Sequence, residues 1–152
     1  MLKFNLLREH KLAHQPTRPQ LAKWLRRGLQ QRYKMVMLTI SIVDQELSRQ
    51  LNNEYRGIDK ATNVISLEYA ESREAFNFLS GELILCDEII QQEAIAQKKE
   101  ILAHYAHMII HGVLHLQGYD HQEEDDANLM EQLETNILQT LGFANPYFNE
   151  QV

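Results

Sequence analysis

Two spacings of hydrophobic residues alternate along the chain and predict strands and helices in turn. The run MVMLTISIV at 35–43 is apolar and β-branched, as in a buried strand. The segment ELILC, after a predicted Ser80–Gly81 turn, should pair with NVISLEYA as a hairpin. The intervening EAFNFLS, residues 74–80, is expected to be a loop, and the pattern assigns it no role. The predicted strands are 2–7, 35–43, 63–70 and 82–86.

Helical periodicity accounts for most of the remaining chain. Thr17 should cap a helix that runs to about Tyr33, because apolar residues follow it at helical spacing. Asp44 and Gly57 mark the start and the end of a second helix, and Gly142 stops the last one. The predicted helices are 17–33, 44–57, Asp87–Gln97, Glu100–Leu116 and Glu123–Leu141. Strands and helices mix without a strict β-α-β rhythm, so the predicted fold class is α+β.

The length of 152 residues indicates one domain, residues 1–152. A chain of this size buries roughly two thirds of its unfolded surface, so its core needs no disulfide or metal, and a bound metal would be functional. The single cysteine, Cys86, suits a reducing compartment. The sequence shows neither a secretory signal nor an apolar run that could span a bilayer. We therefore expect a soluble cytoplasmic protein with no membrane partner.

The distribution of charged residues along the chain is more informative about binding partners than the net charge. A formal net charge of −6 argues against nucleic acid, which usually binds a basic surface. Residues 18–34, however, carry several cations and no acid, whereas acidic residues crowd the stretch after His121. Local fields steer a polyanion, so a basic face remains possible. The candidate nucleic-acid contacts are Lys23, Arg26 and Arg27.

The stretch HGVLHLQGYDH, residues 111–121, has the spacing of a metal site. His111 and His115 lie one turn apart on a helix, so their rings can meet at a common point. His107 lies two turns from His115, about 12 Å along the axis, too far for both to reach one ion. Gly118 can end the helix in a left-handed conformation and let His121 fold back. Three imidazoles with an open fourth position favour one catalytic zinc per chain, although other transition metals also suit imidazole.

One residue separates this pattern from the zinc peptidases, whose ligand spacing it shares. Those enzymes carry a glutamate after the first histidine as general base, and here that position is Gly112. A metallopeptidase is therefore the second hypothesis. Phosphodiester hydrolysis suits the change better, because the metal activates water without a dedicated base while a guanidinium stabilises the transition-state charge. The chemistry predicts an arginine in the cleft.

Three blocks of the sequence resemble the YbeY family of bacterial rRNA-maturation endoribonucleases. The first is HGVLHLQGYDH, the second is NEYRGIDKATNVISL at 53–67, and the third is GELIL at 81–85. Asn63 stands where the family usually has Asp, Leu67 where it has Phe, and Glu82 where it has Asp. The histidines and Arg56 match the family motif.

The resemblance implies a function, a fold and partners. His111, His115 and His121 would bind zinc, and Arg56 would be the catalytic arginine, in a basic cleft beside a four-stranded sheet with helices around it. The implied activity is single-strand-specific cleavage of RNA in ribosomal RNA maturation, notably at the 3′ end of 16S rRNA, and in ribosome quality control. The implied partners are rRNA, the small ribosomal subunit, an Era-type GTPase and exoribonuclease R.

Several neighbouring residues have alternative interpretations. Arg56 could instead pair with Glu54 or Asp59 at a helix end. Asp120 could orient a ligand histidine or cap the turn that Gly118 begins. The residues His104 and His107 could support the metal site or meet substrate, or could be partly buried histidines without such a role. A third hypothesis for the whole chain is a ribosome-assembly factor whose metal only orders the turn.

Overall fold

A computed structural model describes residues 1–69 and 77–147, and its strands form one mixed sheet. The strands are β1 (Leu2–Arg8), β2 (Met35–Val43), β3 (Val64–Glu68) and β4 (Phe78–Cys86). They lie in the order β1-β2-β4-β3, with β2 parallel to both neighbours and β3 antiparallel to β4. The predicted α+β class with a mixed four-stranded sheet is confirmed, as is the hairpin pairing of β3 with β4.

Five helices cover the described part of the chain: α1 (Arg18–Gly28), α2 (Gln45–Arg56), α3 (Asp87–Ala96), α4 (Ile101–Leu116) and α5 (Glu124–Thr140). Thr17 caps α1 and forms a capping box with Gln20. Asp44 caps α2, and Gly57 ends that helix with a left-handed φ of 72°. None of the helices in the described ranges is long and apolar enough to cross a membrane.

Helix α4 is the central element, because other elements pack around most of its surface. It contacts α1, α3 and α5 as well as β3 and β4. Its sequence is apolar on nearly every side, and Tyr105, Ile109, Ile110 and Leu114 are fully buried. Four histidines interrupt this apolar helix, and the packing holds their backbone in place. A site at the end of α4 is therefore built on a rigid element.

The predicted first helix is too long at its C-terminal end. It was expected to reach Tyr33, but α1 ends at Gly28, where the backbone lies against α4. A Cβ built at Gly28 would lie 2.2 Å from Cγ1 of Val113. The side chain of Gln117 then donates a hydrogen bond to the Gly28 carbonyl at 2.8 Å. Tertiary packing against α4 ends the helix before its sequence pattern does.

The predicted turn at Ser80–Gly81 is wrong, because both residues lie inside β4. They pair with Met37 and Leu38 of β2. A Cβ at Gly81 would lie 2.6 Å from the Leu67 carbonyl oxygen, so glycine here allows a close approach of β3 instead of a turn. Of the predicted loop 74–80, residues 74–76 lie outside the described residues, and β4 begins at Phe78.

Candidate metal centre and cleft

Three histidines meet where α4 ends. Gly118 has a φ of 97° and donates its N–H to the carbonyl of His115 at 3.0 Å, which turns the chain back past the helix end. His111, His115 and His121 each present one ligand atom, and these atoms lie within 4.8 Å of one another. Local helix geometry and one glycine are sufficient to bring the three side chains together.

The protonation state of His115 suits a transition metal. Burial and the neighbouring His111 and His121 lower the pKa of His115 to about 4, so its ring is neutral at physiological pH. Neutral imidazoles are the nitrogen ligands that zinc and related divalent metals bind. His111 and His115 are half-buried while His121 is exposed, which leaves one side of the cluster open to solvent. The donor set therefore fits a metal ion with an accessible coordination position.

A cleft of about 480 Å³ opens beside this cluster. Its lining includes His115, His121, Asp120 and Arg56, the last contributed by the end of α2. Of the two alternative partners for Arg56, Glu54 and Asp59, the second is already occupied: Asp59 accepts hydrogen bonds from Arg49 at 2.7 and 3.1 Å. Within the described ranges, no carboxylate lies close enough to Arg56 to form a salt bridge.

Asp120 takes the turn-capping role in this structure. Its Oδ1 accepts a hydrogen bond from the backbone N–H of His121 at 2.6 Å. This contact fixes the backbone that carries His121 rather than a histidine ring. Asp120 also lines the cleft, where its negative charge favours the protonated form of His115 and raises that residue's pKa against the stronger effects that lower it.

A buried glutamate, which the sequence reasoning missed, lies behind the cluster. Glu134 of α5 is 1% exposed, and its Oε1 lies 3.2 Å from Nδ1 of His111 and 2.7 Å from Nε2 of His107. The hydroxyl of Tyr147 donates to both of its oxygens at 2.9 Å. Burial alone would raise the pKa of Glu134, but hydrogen bonds from His107 and His111 hold it at about 2.

The sequence contained a signal for this residue. Met130, Ile137 and Leu138 are buried on α5, and Glu134 lies four residues after the first and four before the last. An acid at the core-facing position of an amphipathic helix requires a buried partner. The partners, however, are on α4 and in the segment after α5, so only the folded structure identifies them.

His104 belongs to a different cluster from the three histidines at the end of α4. It is 2% exposed, and its Nε2 lies 2.8 Å from Oε1 of Glu93 on α3. The amide nitrogen of Asn63 donates to both oxygens of Glu93, at 3.1 and 3.2 Å. The departure from the family residue at position 63 thus has a structural role, because an amide can donate to this carboxylate. A separate cavity of about 900 Å³ is lined by His104, His107 and Lys99.

The basic residues predicted to contact nucleic acid lie away from the cleft. Lys23, Arg26 and Arg27 are exposed on α1, and none of them is among the residues that line the cleft by the histidines. Helix α1 packs on the side of α4 that carries Val113, about 200° around the helix from His111. Their role in binding RNA stays a prediction.

Gly112 faces the sheet and not the cleft. A Cβ at this position would lie 2.8 Å from Cδ2 of Leu83 and 3.3 Å from Oγ of Ser66. The hydroxyl of Ser66 also donates to the Gly112 carbonyl at 3.3 Å. The position therefore has no room for the glutamate that the zinc peptidases carry after their first metal ligand.

These features define an α+β protein with three histidines at a helix end that could hold a metal ion beside a cleft. Residues 6–142 match the family described as endoribonuclease YbeY. The endoribonuclease YbeY of Cupriavidus metallidurans is 46% identical over 132 residues, which cover 87% of this chain and 64% of that relative. The chain belongs to the YbeY family, as the motif around the histidines predicts, and spans less than two thirds of this relative's length.

One solved structure supports the fold independently of close sequence similarity. The solution structure of the protein TM1509 from Thermotoga maritima matches with a TM-score of 0.52 at 19% identity. The match covers 96% of this chain and 99% of that protein. At this identity the likeness concerns the arrangement of helices and strands alone.

Proposed function

We propose that this chain, with residues 1–152 as one hydrolase domain, is a zinc-dependent endoribonuclease that cuts single-stranded RNA. The observation that carries the proposal is the convergence of three histidines, including a neutral His115, beside a cleft lined by Arg56, which forms no salt bridge with any described residue. Its membership of a family described as endoribonuclease supports RNA as the substrate class.

The residues divide the chemistry of phosphodiester hydrolysis between them. His111, His115 and His121 would hold the ion, which supplies Lewis acidity and lowers the pKa of water. The guanidinium of Arg56 would bind the scissile phosphate and stabilise the negative charge that develops on its oxygens. Since no acid neutralises this guanidinium within the described residues, its charge is available to the substrate.

The proposed biological role rests on the resemblance to the YbeY family. The proposed process is ribosomal RNA maturation, including the 3′ end of 16S rRNA, and quality control of ribosomes in the cytoplasm. The proposed partners are the small ribosomal subunit, an Era-type GTPase and exoribonuclease R. The exposed cations Lys23, Arg26 and Arg27 lie outside the cleft and would contact RNA or ribosome beyond the cleavage site.

The test combines metal analysis with a cleavage assay. The wild-type chain, purified without added metal, should contain about one zinc per chain and should cut a labelled single-stranded rRNA fragment but not its duplex. His115→Ala should lose both metal and cleavage, whereas Arg56→Ala should keep the metal and lose cleavage. Arg49→Ala is the matched control, because Arg49 is an arginine on the same helix that pairs with Asp59. Cleavage by Arg56→Ala at the rate of the control would refute the proposal.

The same samples separate the two alternative functions. A peptidase would hydrolyse casein and lose that activity in His115→Ala, although Gly112 leaves no room for the usual base. If the chain is an assembly factor whose metal only orders the turn, the wild type and Arg56→Ala should bind ribosomes equally well, and neither should cleave RNA. In that case His111→Ala should lower the melting temperature without removing any catalytic activity.

A further inference from the structure

We infer that Glu134 is a positioning residue that holds His111 in the tautomer with hydrogen on Nδ1, which leaves Nε2 free to bind the metal. The inference deepens the proposed function and rests on the metal binding proposed there. Glu134 lies on α5, does not line the cleft, and contacts the histidine cluster through Nδ1 of His111.

The geometry makes Glu134 an acceptor for every neighbour. It is 1% exposed, and the atoms within hydrogen-bond distance of its carboxylate are two ring nitrogens and one hydroxyl, each of which can donate. Oε1 lies 3.2 Å from Nδ1 of His111 and 2.7 Å from Nε2 of His107. The Tyr147 hydroxyl donates to the same carboxylate at 2.9 Å.

A neutral imidazole carries one N–H, so the nitrogen that faces an accepting carboxylate oxygen must be the protonated one. For His107 that nitrogen is Nε2. Its Nδ1 is buried without a hydrogen-bond partner among the described residues. A buried N–H without an acceptor costs more free energy than an unprotonated nitrogen without a donor, so Nδ1 of His107 carries no hydrogen. Burial also lowers the pKa of His107, which favours the neutral form of that ring.

The ring of His111 meets the same oxygen through its other nitrogen. Oε1 of Glu134 faces Nδ1 of His111, so that atom carries the hydrogen and Nε2 keeps its lone pair. Two histidines one turn apart on α4 are thereby held in opposite tautomers by a single carboxylate oxygen. A hydrogen-bonded carboxylate also makes the imidazole a stronger ligand, and loss of such a partner typically weakens metal affinity about 10- to 100-fold.

The first test uses the unmodified, metal-free chain. Long-range ¹H–¹⁵N correlation NMR at neutral pH should show His111 protonated on Nδ1 and His107 protonated on Nε2. A wild-type His111 protonated on Nε2 would overturn the inference regardless of how any variant behaves.

The second test measures zinc affinity by competition with a chromophoric chelator. Glu134→Gln keeps the shape of the side chain but can turn its NH₂ towards His111, so we expect about 10- to 100-fold weaker binding and a mixture of His111 tautomers. Glu93→Gln is the matched control, because Glu93 binds His104 at 2.8 Å in the same manner while His104 is not in the cluster.

The outcomes distinguish this inference from the proposed function. Weaker zinc binding in Glu134→Gln, with wild-type affinity in Glu93→Gln, supports the inference. An affinity of Glu134→Gln within about twofold of wild type, or an equal loss in both variants, would contradict it. If the wild-type chain itself binds no zinc, the proposed function fails, and the NMR measurement still decides the tautomer of His111.

Discussion

Replacement of Asn63 by Asp should place two carboxylates in contact at the start of β3. The amide nitrogen of Asn63 lies 3.1 and 3.2 Å from the two oxygens of Glu93, and its Oδ1 accepts from the Val64 N–H at 2.7 Å. In N63D the contact with Val64 remains, but an oxygen replaces the donor that faces Glu93. Two favourable hydrogen bonds thus become a repulsion between like charges.

The distance between the two carboxylates sets the size of the repulsion, and the cost of protonating one of them sets its upper limit. Two charges at this separation repel by roughly 5 kcal/mol at an effective dielectric of about 20. One carboxyl can escape by taking up a proton, which at pH 7 costs about 4 kcal/mol for a group of ordinary pKa near 4.3. Because the side chain of Glu93 is 33% exposed, solvent screens part of the repulsion. We expect N63D to lose about 2–4 kcal/mol of unfolding free energy at pH 7.

The sign of the pH dependence follows from the raised pKa of the introduced pair. The folded state then binds a proton more tightly than the unfolded chain, so the loss is largest near neutral pH and shrinks as the pH falls towards about 4. Urea denaturation of wild type and N63D at pH 7 and pH 4.5 measures this change. The double variant N63D/E93Q should recover most of the stability, because the new amide can donate to the new carboxylate. A loss below about 0.5 kcal/mol at pH 7, or one independent of pH, would refute the reasoning.

Three further changes test other parts of the fold. Gly118→Ala should cost about 1–2 kcal/mol in urea denaturation, because φ is 97° and the added methyl group meets no atom within 4 Å, so only backbone strain acts. Gly112→Glu should cost more than the roughly 1–3 kcal/mol of an overpacked methylene and should confer no casein hydrolysis, since the side chain would enter the contact with Leu83. Burial would raise the pKa of Asp87, but hydrogen bonds from Tyr105 and His14 lower it below 3.8. The ionised Asp87 therefore stabilises the fold above that pH, and this stabilisation is lost as the pH falls through the folded-state pKa. Asp87→Asn should therefore flatten the fall in melting temperature below pH 4, and an unchanged slope would contradict this assignment.

Local geometry made much of the site predictable. The spacing of His111 and His115 is a property of any helix, and Gly118 needs only its own φ to return His121 to the helix end. The caps Thr17 and Asp44 likewise act on backbone groups within three residues of themselves. These predictions depend only on neighbours in the chain, and they agreed with the structure for this reason.

Contacts between distant segments were not predictable in the same way. Glu134 meets His111 across 23 positions, and Asn63 meets Glu93 across 30. Gly81 was predicted to lie in a turn because glycine favours turns. A glycine inside a strand that allows the close approach of a neighbouring strand looks the same in the sequence, so the two cases could not be distinguished.

The sequence by itself determined the class of fold, the family and the three histidines at the end of α4, because each depends on periodicity or spacing within short segments of the chain. Only the tertiary structure decided that Arg56 lines the cleft without a salt bridge to any described residue, that Gly112 is packed against Leu83, and that Glu134 contacts His111. These relations depend on how α2, α5 and the sheet pack around α4. Packing selects among many pairs of compatible residues, and only the folded chain shows which pairs are in contact.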